Sequence, residues 1–197
     1  MKRVVYTQRM DIYSERNEVR DASDQKLVQW LLYAGYLPFP IPNAISIDNE
    51  KLQSWLLSIK PEAFLLTGGG DASERNLRFL LERKLLVWAE GNKIPVLGIC
   101  RGMQTMAVFS GANLERVSNH VALRHRLCGE IEQEVNSFHQ YALTQCPADY
   151  RVLATCQDGV IEAIESNKLP WQGWMWHPER EDPFQQDDVL RLQKLFG

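Results

Sequence analysis

The sequence predicts an α/β domain in which a mostly parallel sheet is covered by helices on both faces. Two observations carry this. Strand-like and helix-like segments alternate through the first 110 or so residues. The strand-like segments, such as Val4-Val5-Tyr6 and Ala63-Phe64-Leu65-Leu66, are apolar without interruption rather than alternating with polar residues. A strand buried on both faces reads this way, and sheets so covered are usually parallel.

The elements follow in chain order. Residues 4–6 form a short strand that opens into a polar loop, 7–21. Residues 23–34 place Leu27, Trp30 and Leu31 at helical spacing, with Gly35 ending the helix. The prolines of Leu37-Pro38-Phe39-Pro40-Ile41-Pro42 push their predecessors out of helix, so this segment is extended. A short helix over 52–59 precedes the strand 63–66. A long helix over 74–91, closed by Gly91, leads to the strand 94–99, and 101–109 is the next helix. Beyond about 115, the runs 132–135, 150–154, 161–164 and 174–176 read as further, partly antiparallel strands. Residues 187–196 form a terminal amphipathic helix. In α/β sheets ligands bind beyond the carboxyl ends of the strands, which directs attention to the loops after residues 6, 66 and 99.

The chain has 197 residues, the size of one domain spanning 1–197 with a core sufficient to need no disulfide staple. Its 22 basic and 25 acidic residues give a net charge of −3, which argues against a nucleic-acid partner. No apolar run reaches the ~18–20 residues of a membrane span, so no membrane partner is expected. The start, Met1-Lys2-Arg3-Val4-Val5-Tyr6, is too short and too soon polar for a secretory signal. Cysteines at 100, 128, 146 and 156 have no CxxC spacing and read as reduced thiols of a cytoplasmic protein.

Three segments carry chemistry. Gly98-Ile99-Cys100-Arg101-Gly102 fits G-x-C-x-G, a nucleophile elbow between strand and helix. Its glycines let the neighbouring backbone pass closely, and the helix N-terminus favours a thiolate. Trp176-His177-Pro178-Glu179 is the second. In an extended segment i and i+2 share a side, so an imidazole base and an orienting carboxylate sit adjacent, stiffened by the proline. The third, Leu66-Thr67-Gly68-Gly69-Gly70-Asp71, frees backbone N–H groups to face a ligand. A phosphate cradle and an oxyanion hole both use such a turn. It lacks the Gly-Lys-Ser/Thr ending of a P-loop, and beside a cysteine nucleophile an oxyanion hole is the better reading, with the Arg101 amide as second donor.

Together, Gly98–Gln104 (GICRGMQ), the His177-Pro178-Glu179 tail and the glycine turn resemble the class I glutamine amidotransferase family, and more closely its γ-glutamyl-γ-aminobutyrate hydrolase-like branch. Thr7-Gln8-Arg9 and Val135-Asn136-Ser137-Phe138-His139 are similar to that branch as well. The resemblance implies a three-layer α/β/α, flavodoxin-like fold. It implies Cys100 as nucleophile, His177 as general base and then acid, and Glu179 as the group orienting His177. It further implies an oxyanion hole from the Gly69 and Arg101 amides, with Gly68 one position off as the alternative. Gln104 matches a contact to the glutamyl portion, and the Gln140 and Tyr141 amides match those receiving the α-carboxylate, in a loop ordered by His139. Met175 stands where many amidotransferases have glutamine, and Gly70 where many have proline.

The expected activity is hydrolysis of a γ-glutamyl amide (of the γ-glutamyl-γ-aminobutyrate or γ-glutamyl-CDP-amidate type) through a γ-glutamyl thioester. The alternative is a glutaminase subunit delivering ammonia to a separate synthase partner. No cofactor is expected. His120 and His125 have the look of a metal pair, but no third ligand of matching character lies near them in sequence, so no metal is expected. That segment reads instead as a loop at the pocket mouth, with Arg124 and Arg126 meeting an anionic leaving group. Arg9, Arg16 and Arg20 read either as surface ion pairs with Glu15, Glu18 and Asp21 or as readers of a charged acceptor. Cys128, Cys146 and Cys156 read as plain thiols, and Trp174 and Trp176 as pocket-lining candidates.

Overall fold

The computed structural model describes residues 1–70 and 76–197. Strand β1 (Arg3–Tyr6) leads into a hairpin, β2 (Arg9–Tyr13) and β3 (Glu18–Ala22), where the sequence suggested only a polar loop. No residue of the hairpin is buried, so its short apolar alternation, Met10 and Ile12, faces no core. Helix α1 (Gln25–Tyr33) is capped by Asp24, whose carboxylate accepts from the Lys26 N–H, and Gly35 at φ +92° ends it as expected. β4 (Leu37–Pro40) and α2 (Asn49–Ile59) follow, the latter capped by Asp48.

β5 (Ala63–Leu66) precedes the glycine turn, of which Asp71 lies outside the described residues. Helix α3 (Leu77–Asn92) begins at the Asn76 cap; Glu74 and Arg75, the expected first residues, also lie outside the described residues. The helix runs through Gly91 and is closed instead by Lys93 in the left-handed region, at φ 53°. β6 (Val96–Ile99) and α4 (Arg101–Phe109) complete the α/β half. The second half holds β7 (Glu115–Arg116), β8 (Val121–Arg126), β9 (Cys128–Gly129), β10 (Glu134–Phe138), β11 (Tyr141–Ala142), β12 (Tyr150–Thr155), β13 (Ile161–Ser166), β14 (Trp171–Trp174) and α5 (Gln186–Phe196). β8 replaces the loop read at 120–126, and β10 starts two residues later than read.

The main sheet has eight strands in the order β4-β1-β5-β6-β14-β13-β12-β9. The five from β4 to β14 are parallel, and β13, β12 and β9 continue antiparallel. Neighbouring residues of one strand feed opposite cores. Val4, Leu65, Leu97 and Ile99 pack with Leu27, Trp30, Leu31, Val189 and Leu192 of α1 and α5. Val5, Phe64, Leu66 and Val96 pack with Leu52, Leu56, Leu81, Leu85, Met103 and Met106 of α2, α3 and α4. The result is a three-layer α/β/α fold, explaining why the parallel strands are apolar throughout. No helix among the described residues is long and apolar enough to cross a membrane.

Candidate active site

Cys100 sits between β6 and α4 at φ 51°, ψ −106°, a left-handed conformation that costs a residue with a Cβ on the order of 1–3 kcal/mol. The surroundings enforce it. The Cys100 N–H donates to the Trp174 carbonyl at 2.7 Å, and the Cys100 carbonyl accepts from the Gln104 N–H at 3.1 Å. A Cβ on Gly98 would lie 2.6 Å from Gly102 C and Met103 N, and one on Gly102 would overlap the Leu66 carbonyl oxygen. Both glycines of the motif are therefore demanded by packing. The Cys100 side chain makes no capping hydrogen bond to α4 among the described residues, and the helix N-terminus favours an anion at the cysteine.

His177 and Glu179 meet through a different geometry from the extended segment expected. β14 ends at Trp174, and His177 enters a single 3₁₀ turn, Pro178–Arg180, with proline at its first position. The turn brings Nδ1 of His177 to 2.7 Å from Oε1 of Glu179, both side chains being buried. Asn136 clasps the His177 main chain from both sides. Its Oδ1 accepts from the His177 N–H at 3.0 Å, and its Nδ2 donates to the His177 carbonyl at 2.8 Å. Burial alone would lower the basicity of His177. The charge and hydrogen bond of Glu179, with the nearby Cys100 sulfur, overcome that and push its pKa up to about 9.

A cavity of about 300 Å³ gathers Gly69, Cys100, Arg101, Gln104, His139, Gln140, Tyr141 and His177. Glu179 stands behind this wall, on His177. Gln104 Nε2 donates to the Tyr141 carbonyl at 2.7 Å, and His139 Nδ1 lies 3.2 Å from the same oxygen. Gly69 has φ +85°, and a Cβ on Gly68 would strike the His177 ring at 2.5 Å. Arg180 lines the cavity as well and lies over the Phe138 ring at 4.7 Å.

Two supporting residues escaped the sequence reading. Arg78 and Glu82 are both buried on α3. Glu82 accepts from Arg78 Nε at 2.8 Å and from Thr7 Oγ1 at 3.0 Å, and also pairs with the Arg101 guanidinium. Arg78 in turn donates to the carbonyls of Thr67, Gly68 and Gly69, the last at 2.6 Å. The glycine turn is thus clamped by its carbonyls. Their i, i+4 spacing among Leu77, Leu81 and Leu85 was the available signal, but a solvated helix pair looks the same in sequence.

Other expectations are corrected. Trp174 and Trp176 are fully buried, stacked at 5.3 Å, and belong to the core rather than the pocket. Arg124 is tied to Glu134 and bidentately to Glu181, and Arg126 lies 3.7 Å from Glu132, so neither faces the cavity. Arg20 holds Glu18 and lies over Tyr13, and Arg16 is on the exposed hairpin turn. Arg9 alone of its cluster reaches the site, lining a smaller cavity with Gly68, Gly69, His177 and Arg180. The view that no third metal-type ligand accompanies His120 and His125 is also overturned: the fold brings Cys156 and Glu162 to them. Cys156 is a buried free thiol, Cys128 an exposed one and Cys146 half-buried.

Comparison with known proteins identifies the family. Residues 23–193 match the family described as glutamine amidotransferase class-I. Over 195 residues the chain is 30% identical to a γ-glutamyl-CDP-amidate hydrolase of Campylobacter jejuni, covering 94% of each protein. It is 25% identical to a γ-glutamyl-γ-aminobutyrate hydrolase of Shigella flexneri, covering 79% of this chain and 77% of that one. In fold it is similar to a glutamine amidotransferase from Thermotoga maritima, with a TM-score of 0.64 at 14% identity over 98% of this chain and 83% of the other. A match over this much of the chain means that the protein belongs to the class-I glutamine amidotransferase family.

Proposed function

We propose that the protein hydrolyses a γ-glutamyl amide, with Cys100 as nucleophile, His177 as proton shuttle and Glu179 as its orienting carboxylate. The observation that carries this is the left-handed Cys100 on its elbow, lining one cavity with His177, whose Nδ1 is fixed 2.7 Å from a buried carboxylate. The Cys100 thiolate attacks the γ-amide carbon, forming the C–S bond and a tetrahedral oxyanion. The Gly69 and Arg101 amides hold that oxyanion, each donor lowering the barrier by about 3–4 kcal/mol. Collapse breaks the C–N bond as the His177 imidazolium protonates the departing nitrogen. His177 then takes a proton from water, which attacks the thioester; the C–S bond breaks and glutamate leaves.

Gln104 and the Gln140–Tyr141 segment bind the glutamyl end, with His139 fixing that segment. Arg180 and Arg9, at the rim, suit an amine that carries negative charge, such as the phosphoramidate of a nucleotide amidate. The nearly full-length likeness to the Campylobacter hydrolase supports that class of leaving group. The test is glutamate release by the purified lone chain from glutamine, γ-glutamyl-γ-aminobutyrate and a γ-glutamyl nucleotide amidate. Preference for the amidate is expected. Turnover of glutamine alone, and only with an added synthase, would make the protein a glutaminase subunit instead.

A further inference from the structure

Three of the four histidines of the chain converge on the fully buried carboxylate of Glu162 in β13. His120 precedes β8, His125 lies on it, and His139 follows β10. Glu162 Oε1 lies 3.5 Å from His120 Nδ1 and 3.3 Å from His139 Nε2, while Oε2 lies 3.5 Å from His125 Nε2. Cys156, just beyond β12, puts its sulfur 3.6 Å from Oε1. These separations are too long or ill-directed to satisfy the nitrogens. His120 Nδ1, His125 Nε2, His139 Nε2 and Glu162 Oε2 are all buried with no hydrogen-bond partner among the described residues. Four orphaned polar atoms facing one point are costly unless something bridges them.

We propose that His120 Nδ1, His125 Nε2, Cys156 Sγ and Glu162 form a structural site for a zinc-class dication. One ligand atom from each lies within 4.8 Å of the others. A tetrahedral zinc shell with bonds of ~2.0–2.3 Å puts ligands about 3.3–3.6 Å apart, so the widest pair closes by about 1.3 Å. The donor set of two imidazoles, a thiolate and a carboxylate suits that borderline-soft ion, and its two negative charges neutralise the dication in a buried setting. The thiol proton passes to solvent on binding.

The supporting groups are in place. Asp158 Oδ2 is 2.9 Å from His120 Nε2, which leaves Nδ1 as the ligating atom. His139, whose Nε2 lies 3.3 Å from Glu162 Oε1 and whose Nδ1 lies near the Tyr141 carbonyl, connects the site to the wall of the catalytic cavity. A surface cavity of about 420 Å³ bordered by His120, His125, Cys156 and Asp158 provides entry. The proposal is independent of the hydrolase reading, since none of these four ligands lines the catalytic cavity.

The test uses the full chain carrying Cys100→Ser, so that the reactive thiol cannot contribute, stripped with chelator and titrated with Co²⁺ and Zn²⁺. One equivalent of Co²⁺ should give the visible bands of tetrahedral cobalt and a near-ultraviolet thiolate-to-cobalt band, both displaced by Zn²⁺. Zinc should raise the Tm. Adding Cys156→Ser should abolish the thiolate band, whereas Cys128→Ser and Cys146→Ser leave it. Asp158→Asn, at an exposed turn that does not threaten folding, should weaken binding about 10–100-fold. Absence of a one-to-one complex, or a thiolate band that survives Cys156→Ser, would overturn the proposal.

Discussion

Arg78 and Glu82 form a buried ion pair one helical turn apart, and the guanidinium of the pair also grips the carbonyls of Thr67, Gly68 and Gly69. The carboxylate reaches a second guanidinium, that of Arg101, the residue following Cys100. One buried carboxylate on α3 thus ties the turn after β5 to the elbow after β6. Burial would raise the pKa of Glu82, but the two arginines hold it below the ordinary carboxylate value.

Removing that charge leaves two buried guanidinium groups without their counterion. Glu82→Gln, which keeps the volume, should destabilise the fold by about 3–5 kcal/mol in urea unfolding. Near-native stability would mean that water replaces the carboxylate and that the clamp is incidental.

The elbow glycines give a second prediction. Gly102→Ala must drive its Cβ into the Leu66 backbone, so the strand or the elbow has to shift. Overpacking of this kind costs about 1–3 kcal/mol, and the displaced elbow should lose activity beyond that stability loss. Gly111→Ala, where the space is open but φ is +85°, controls for backbone strain alone and should leave turnover intact.

His177 sets the pH dependence. Its pKa lies above the ordinary 6.5, at about 9, so the imidazolium is the form the folded protein favours. The stability it contributes is complete below pH 6.5 and is lost as pH rises through 9. Protonation of the leaving amine needs the same imidazolium, so kcat/KM should fall on an alkaline limb near pH 9. Glu179→Gln removes the main charge that raises the pKa. It should move that limb to lower pH and lower kcat by up to about 10⁴-fold. A limb unmoved in the variant would assign it to another group.

Arg180 and Arg9 at the rim bear on substrate choice. Arg180→Ala should lower kcat/KM for a phosphate-bearing γ-glutamyl amide by about tenfold or more, the worth of one charge-assisted hydrogen bond. It should change glutamine turnover far less. Equal losses on both substrates would place Arg180 with the glutamyl end or with the support of His177 through Phe138.

The parallel half of the fold was legible because strands buried on both faces are apolar without a break, as in Ala63–Leu66, and because helices such as Arg101–Phe109 carry their own boundaries. The β2–β3 hairpin was illegible because none of its residues is buried, so its apolar side chains, Met10, Ile12 and Val19 among them, mark no core face. The placement of Cys100 and His177 on one cavity follows from glycines whose missing side chains the backbone requires. What sequence spacing could not carry is convergence between distant segments. The clasping of the His177 main chain by Asn136, 41 residues away, is one case. The gathering of Cys156 and Glu162 on His120 and His125 is another, since β12 and β13 reach the β8–β10 hairpin only in the folded chain.

The central claim is covalent catalysis by Cys100, and the most direct measurement is acid quenching during turnover of a γ-glutamyl amide, followed by mass spectrometry of the intact and digested chain. The account predicts a mass increase of one γ-glutamyl group on the peptide containing Cys100, absent in Cys100→Ala, whose turnover falls by at least about 10⁴-fold. An adduct on Cys128, Cys146 or Cys156, or a Cys100→Ala variant that still releases glutamate at the native rate, would contradict it.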